Sequence, residues 1–130
     1  IGLRNALLGF RQTEQTHIME NVIYNELLFR GYSVDVGIVE VTGHDKNGKF
    51  IRKQLEVDFV VNDGSQRYYI QSAFSIPDEE KMSQETASFR YIDDSFKKIL
   101  VVKDDIMPYT DDNGFLHIGL FDFLLKPQMM

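Results

Sequence analysis

The stretch Leu55 to Phe74 holds the residues whose types and spacing could do chemistry. Glu56 and Asp58 precede an Asn62-Asp63-Gly64-Ser65 turn, and Gln71 and Ala73, two residues apart, follow it. Carboxylates offered from separate elements suit a hard cation such as Mg²⁺, which prefers oxygen ligands. A cation held in this way can activate water and stabilise charge on a phosphate. Gln71 offers a neutral oxygen. Ala73 offers no polar group.

The surrounding patterns predict the elements that would position these groups. Leu3, Ala6, Leu7 and Phe10 have helical spacing and predict a short helix over 3–10, with Gln12 to Thr16 as a polar connection. Ile18, Met19, Val22, Ile23 and Leu27 predict a second helix from about Glu14 to Phe29, stopped by Gly31. Partial alternation over Tyr32 to Val41 predicts a strand. Asn47-Gly48 is a hairpin signal, followed by strands over Ile51–Val61 and Arg67–Ser75. Pro77 and the acidic run Asp78-Glu79-Glu80 suit a helix start, predicted to reach Ser88. Lys98 to Val102 reads as a buried strand. Asp111 to Gly114 is a turn, and Leu116 to Leu125 closes the chain, with Asp122 capping a last short helix.

The order α-β-β-β-α-β predicts an α/β domain with a mixed sheet flanked by helices. This order and these carboxylates resemble the restriction-endonuclease-like fold, the PD-(D/E)XK superfamily. Its first motif is a Glu on the first helix, which Thr16-His17-Ile18-Met19-Glu20 matches in spacing, with Thr where Gly is common. Its second motif is an Asp on a middle strand, matched by Asp58. Its third is Glu-x-Lys, where this chain has Gln71-Ser72-Ala73. The resemblance implies metal positions at Glu20 and Asp58 for Mg²⁺, vestigial nuclease-like positions at Glu20, Asp58 and Gln71, and convergence of these three at one end or face of the sheet. Lys81 on the following helix is the candidate for a migrated lysine.

A second resemblance spans nearly the whole chain. Gly2-Leu3-Arg4-Asn5, His17 to Asn21, Tyr24-Asn25-Glu26-Leu27, Arg30-Gly31-Tyr32, Glu56 to Phe59 and Tyr68-Tyr69-Ile70-Gln71 are similar to the C-terminal domain of predicted AAA-type ATPases of archaea and bacteria. It implies a single domain over 1–130, with 1–12 as the junction from an absent N-terminal ATPase region that would bind ATP and be the domain's first partner. These 130 residues contain no Gly-x-x-x-x-Gly-Lys-Ser/Thr phosphate loop.

Composition sets the limits. A chain of 130 residues fits one domain, and 43% hydrophobic residues support a packed core. The absence of Cys rules out disulfides and thiolate metal sites and fits a cytoplasmic protein. No apolar run reaches the length of about 20 residues that spans a membrane. The net charge of −6 does not support nucleic-acid binding. Each singled-out residue also has a plain reading: Glu20 and His17 as solvated helix residues, Asp58 as part of a polar sheet face, Gln71 as its cross-strand partner, and Arg90, Lys97 and Lys98 as solvated surface. The expectation is a non-catalytic, nuclease-like accessory domain contacting an unidentified protein partner. A Mg²⁺-dependent nuclease acting on DNA and a structural or dimerisation domain are the alternatives.

Overall fold

The computed structural model describes residues 2–73, 86–92 and 94–126, with side chains from residue 14 onward. Residues Gly2–Phe29 form one continuous helix, α1, in place of two helices around a connection. Gln12 to Thr16 contains neither Gly nor Pro, so nothing in it breaks a helix. The helix stops where expected. Gly31 takes φ +87°, Gly31 N–H bonds to Leu28 C=O, and Tyr32 N–H bonds to Leu27 C=O. This paired closure satisfies the last carbonyls and needs a left-handed residue at the glycine position. Of the predicted apolar face, Met19, Ile23 and Leu27 are buried, while Ile18 and Val22 are exposed. One stripe at i, i+4, i+8 meets the sheet.

The strands are β1 (Ser33–His44), β2 (Phe50–Asp63), β3 (Gln66–Ala73), β4 (Lys97–Val102), β5 (Tyr109–Thr110) and β6 (Leu116–Gly119). They form one sheet in the order β1-β2-β3-β4-β6-β5. The first three run antiparallel as a meander. β4 lies parallel to both β3 and β6, and β5 is antiparallel to β6. A parallel neighbour requires the chain to cross over, and the helical turn α2 (Ala87–Arg90) lies in that crossing. Of the helix predicted from Asp78 to Ser88, residues 78–85 lie outside the described residues, as does Lys81. The closing segment Leu116 to Leu125 divides into strand β6 and a last short helix, which is capped by Gly119 and not by Asp122. The helix α3 is Leu120–Leu125, and Asp122 sits in its first turn, with Gly119 at the N-cap.

The result is a mixed α/β domain whose six-stranded sheet is flanked by helices. Met19, Ile23 and Leu27 of α1 and Phe123 of α3 pack with Phe59, Val61, Ile70, Ile99 and Ile118 on one face. Phe89 of α2 packs with Val57, Tyr69 and Phe115 on the other. Arg30 joins α1 to α3 by donating to Phe123 C=O at 2.6 Å while lying over the Phe123 ring. Among the described residues no helix is long and apolar enough to cross a membrane.

Candidate functional site

A break in strand regularity builds the site. Asp35 pairs with Val60 and Gly37 with Val57, so β2 uses one residue more than β1 between these pairs. Asp58 and Phe59 therefore oppose Val36 together, as a β-bulge. Regular alternation would turn Asp58 away from both Val57 and Phe59. Instead Val57 and Phe59 enter core clusters on opposite faces, and Asp58 joins Phe59 on the side of α1. There Glu20, Asn21, Tyr24, Val36, Glu56, Asp58 and Phe59 line an open cleft of about 380 Å³. Tyr24 and Phe59 form part of its wall, with ring centroids 6.4 Å apart.

The same bulge separates β2 from β3. Their ladder runs from Asp63↔Gln66 to Phe59↔Ile70 and stops there. Beyond it, side chains replace backbone partners. Asp58 N–H donates to Gln71 Oε1 at 2.9 Å. Ser72 N–H and Ser72 Oγ–H both donate to Asp58 Oδ2, at 3.0 Å and 2.9 Å. β3 meanwhile continues in register with β4, pairing Gln71 with Leu100 and Ala73 with Val102.

The structure thus brings Glu20 and Asp58 together and treats Gln71 differently. Partial burial, and then the negative charge of Asp58, push the Glu20 carboxyl above its ordinary value, while His17 acts in the opposite direction. His17 Nδ1 lies 3.8 Å from Glu20 Oε2. Ser72 bonds Asp58 on the α1 side, so the alternation of β3 sends Gln71 to the opposite face, with Tyr69 and Ala73. The Gln71 side-chain oxygen is already engaged by Asp58 N–H. Ala73 is buried with Leu100 and Val102.

A Mg²⁺-like ion is commonly held by one or two carboxylates together with substrate phosphates. Glu20 and Asp58 line one cleft, and Gln71 is not among its lining residues. Among the described residues no three His, Cys, Asp or Glu side chains gather as a cation site, and no lysine or arginine lines the cleft.

Ser72 and the bulge escaped sequence reasoning. Gly37 was the one available signal, since a glycine inside a strand pattern marks a bulge or a close approach. Lys98 also departs from its solvated reading. It is buried, and its ammonium donates to the carbonyls of Asp94 and Phe96 and to Asp94 Oδ1. Tyr69 O–H donates to Asp94 Oδ2 at 2.6 Å. Burial works against ionisation of Asp94, but the hydrogen bonds from Tyr69, Phe96 N–H and Lys98 outweigh it and hold the carboxyl below its ordinary value. A second buried pair, His117 Nε2 with Asp111 Oδ2 at 2.7 Å, ties the β5–β6 hairpin, and His117 stacks on Tyr109. Both clusters lie on the sheet face away from α1 and hold loops to the sheet.

No family model matches the chain. It is similar to an uncharacterized protein of Haemophilus influenzae, with 32% identity over 125 residues. Those residues are 96% of this chain and 27% of that relative, so the chain spans about a quarter of the length of the relative it matches.

Proposed function

We propose that this domain is a non-catalytic accessory module of the restriction-endonuclease-like type, carried at the C-terminal end of a cytoplasmic AAA-type ATPase, where it contacts another macromolecule. The observation that carries the reading is the state of the third motif. Gln71 is committed to the Asp58 backbone, and Ala73 is packed into apolar core. Neither can assist a water or neutralise a phosphate in the cleft, the task that the lysine performs in a hydrolytic site. ATP binding belongs, in this reading, to a preceding region of a longer chain.

One observation favours a second reading, a Mg²⁺-dependent nuclease acting on DNA. Glu20 and Asp58 face the same cleft, and their mutual repulsion would be relieved by a cation. A single sample separates the two. Mg²⁺ and Mn²⁺ are titrated while the NMR shifts of Glu20, Asp58 and Gln71 are followed, and linear and supercoiled DNA are then added. The accessory reading expects no cleavage above background, with or without cation binding. Cleavage that disappears in Asp58→Asn would refute it.

A further inference from the structure

The two edges of the sheet are built differently. β5 closes one edge with only two residues. β1 closes the other with twelve. A strand edge presents a row of backbone donors and acceptors, and long edges are ordinarily blunted by lysine, proline or a bulge. β1 contains no lysine, arginine or proline, and the bulge beside it is carried by β2.

The hairpin fixes which groups of β1 face outward. Asp45 N–H bonds to Lys49 C=O, and an antiparallel ladder alternates bonded and non-bonded pairs from there. Counting back turns the backbone groups of Gly43, Val41, Val39 and Gly37 toward β2. Those of Thr42, Glu40, Ile38 and Val36 point away from the sheet. The side chains of Val36 and Ile38 are 68% and 60% exposed. A second extended strand is the structure whose N–H and C=O spacing matches such a row.

Charge specifies the kind of strand. β1 carries Asp35 and Glu40 and no lysine or arginine; among the described residues Arg52 bonds the exposed side chain of Glu40. Val36 also borders the cleft that holds Glu20, Glu56 and Asp58. An added strand would lie two strand spacings, about 10 Å, from β2, so a long basic side chain on it would extend over Val36 toward those carboxylates. Its stem would cover Val36 and Ile38. On the opposite face its apolar side chains would meet Val39 and Val41. A second copy of β1 fits less well, since it would place the acidic residues of both copies in one ladder without a base.

We propose that β1 is a docking edge that takes up an extended partner segment with alternating basic and apolar residues, its basic face turned to the Glu20–Asp58 cleft. The inference names a partner chemistry for the accessory reading but stands on the edge itself.

The test uses the 130-residue chain and two fluorescent peptides of about ten residues, one alternating valine and lysine, the other valine and glutamate. Anisotropy is expected to show the lysine peptide binding roughly tenfold or more tighter than the glutamate peptide, and weakening as salt rises. Hydrogen exchange at Val36, Ile38 and Glu40 is expected to slow on binding, with Gly37 unchanged. Ile38→Pro removes one outward donor, a change an edge position tolerates, and is expected to abolish binding. Val36→Lys, at an exposed side chain, should weaken it through charge and serves as the deciding variant if the proline variant does not fold. Equal binding of both peptides, binding of neither, or protection at other amides overturns the proposal. So does slow exchange of the same three amides in a concentration-dependent dimer of the chain alone, which would make a second copy the occupant. DNA cleavage by the same sample would refute the accessory reading and leave the peptide result intact, so the two fail separately.

Discussion

Gly37→Ala tests whether the bulge that aims Asp58 depends on the strand opposite it. A Cβ at Gly37 would lie 2.5 Å from Val60 Cγ2 and 3.3 Å from Val57 Cβ. A methyl of Val60 can rotate aside, but Val57 Cβ is fixed to the main chain and Val57 is fully buried. Overpacking of this kind costs about 1–3 kcal/mol. Alanine in place of a strand glycine returns about 0.5–1 kcal/mol of chain entropy. The expected net loss lies within about 0–2.5 kcal/mol and centres near 1 kcal/mol, a fall in Tm of roughly 3–6 °C at that centre for a domain of this size. Gly43 is the control within the same strand: a Cβ there meets nothing within 4 Å, so Gly43→Ala should be neutral or slightly stabilising. Adding Val60→Ala to Gly37→Ala removes the closest contact, and the pair should be coupled by about 0.5 kcal/mol or more in a double-mutant cycle. Urea unfolding of the four variants gives the energies. NMR titration of Glu20 gives the site readout, because an Asp58 displaced from the cleft lets the Glu20 pKa fall toward its ordinary value. Gly37→Ala behaving like Gly43→Ala, with Glu20 unmoved, would refute the argument that Gly37 is needed to seat the bulge.

Three further outcomes follow from the polar contacts. Asp58→Ala leaves Ser72 N–H and O–H without their acceptor and should cost about 1–3 kcal/mol, whereas Asp58→Asn keeps an oxygen and should cost less; equal losses in urea melts would refute the role of that oxygen. The Glu20 carboxyl is raised in the folded state, so the folded chain holds more protons than the unfolded one between the ordinary value of 4.5 and its folded value. Stability should therefore fall as pH rises through that window, with a shallower slope in Asp58→Asn, as read from urea midpoints across the carboxyl range. Asp94→Ala removes a carboxylate partner of buried Lys98 but leaves the carbonyls of residues 94 and 96 in place, so its cost should be roughly 2–3 kcal/mol, less than for a fully orphaned charge. Because the Asp94 carboxyl is lowered on folding, its contribution is present above 3.8 and should be lost as pH falls through the folded value, which acid unfolding of the parent and the variant would compare.

The readable parts of the fold were those with local punctuation. Gly31 stopped a helix, Asn47-Gly48 and Asp63-Gly64 turned hairpins, and the apolar run from Ile99 to Val102 marked a buried strand. Each signal rests on a backbone conformation or a periodicity carried by neighbouring residues. The parts that could not be read depend on distant partners. The bulge exists in the pairing of β2 with β1, so no alternation within Val57-Asp58-Phe59 reveals it. The burial of Lys98 depends on Asp94 and on the ring of Tyr69 from another strand. β5 is two residues long and exists by pairing with β6. Of the candidate positions suggested by the family resemblance, the structure places Glu20 and Asp58 at one cleft. Gln71 does not join them, because the bulge turns Asp58 to the α1 side while β3 keeps its regular alternation, and that bulge is invisible in sequence.

That separation gives Asp58 a structural task independent of catalysis, and it accounts for the glutamine. Where β2 leaves β3, Asp58 N–H and Ser72 N–H would lack ladder partners, and Gln71 and Asp58 supply them from their side chains. An unpaired, partly buried N–H costs about 1–3 kcal/mol, so an Asp here stabilises the fold whether or not a cation ever binds. Gln71 supplies the same kind of acceptor as Glu without placing another negative charge next to Asp58. Gln71→Glu should therefore keep the hydrogen bond while adding like-charge repulsion of about 0.5–1 kcal/mol at neutral pH. The new carboxyl would be raised by its neighbours, so the penalty should vanish as pH falls below the ordinary carboxyl value of about 4.3. Urea midpoints of parent and variant at neutral and acidic pH measure this. If Gln71→Glu matches the parent at neutral pH, charge repulsion does not account for the glutamine. If the penalty appears and then vanishes on acidification, the glutamine is explained by the demands of a separating pair of strands, and the carboxylates of Glu20, Glu56 and Asp58 in the cleft are left for a partner's cation to meet.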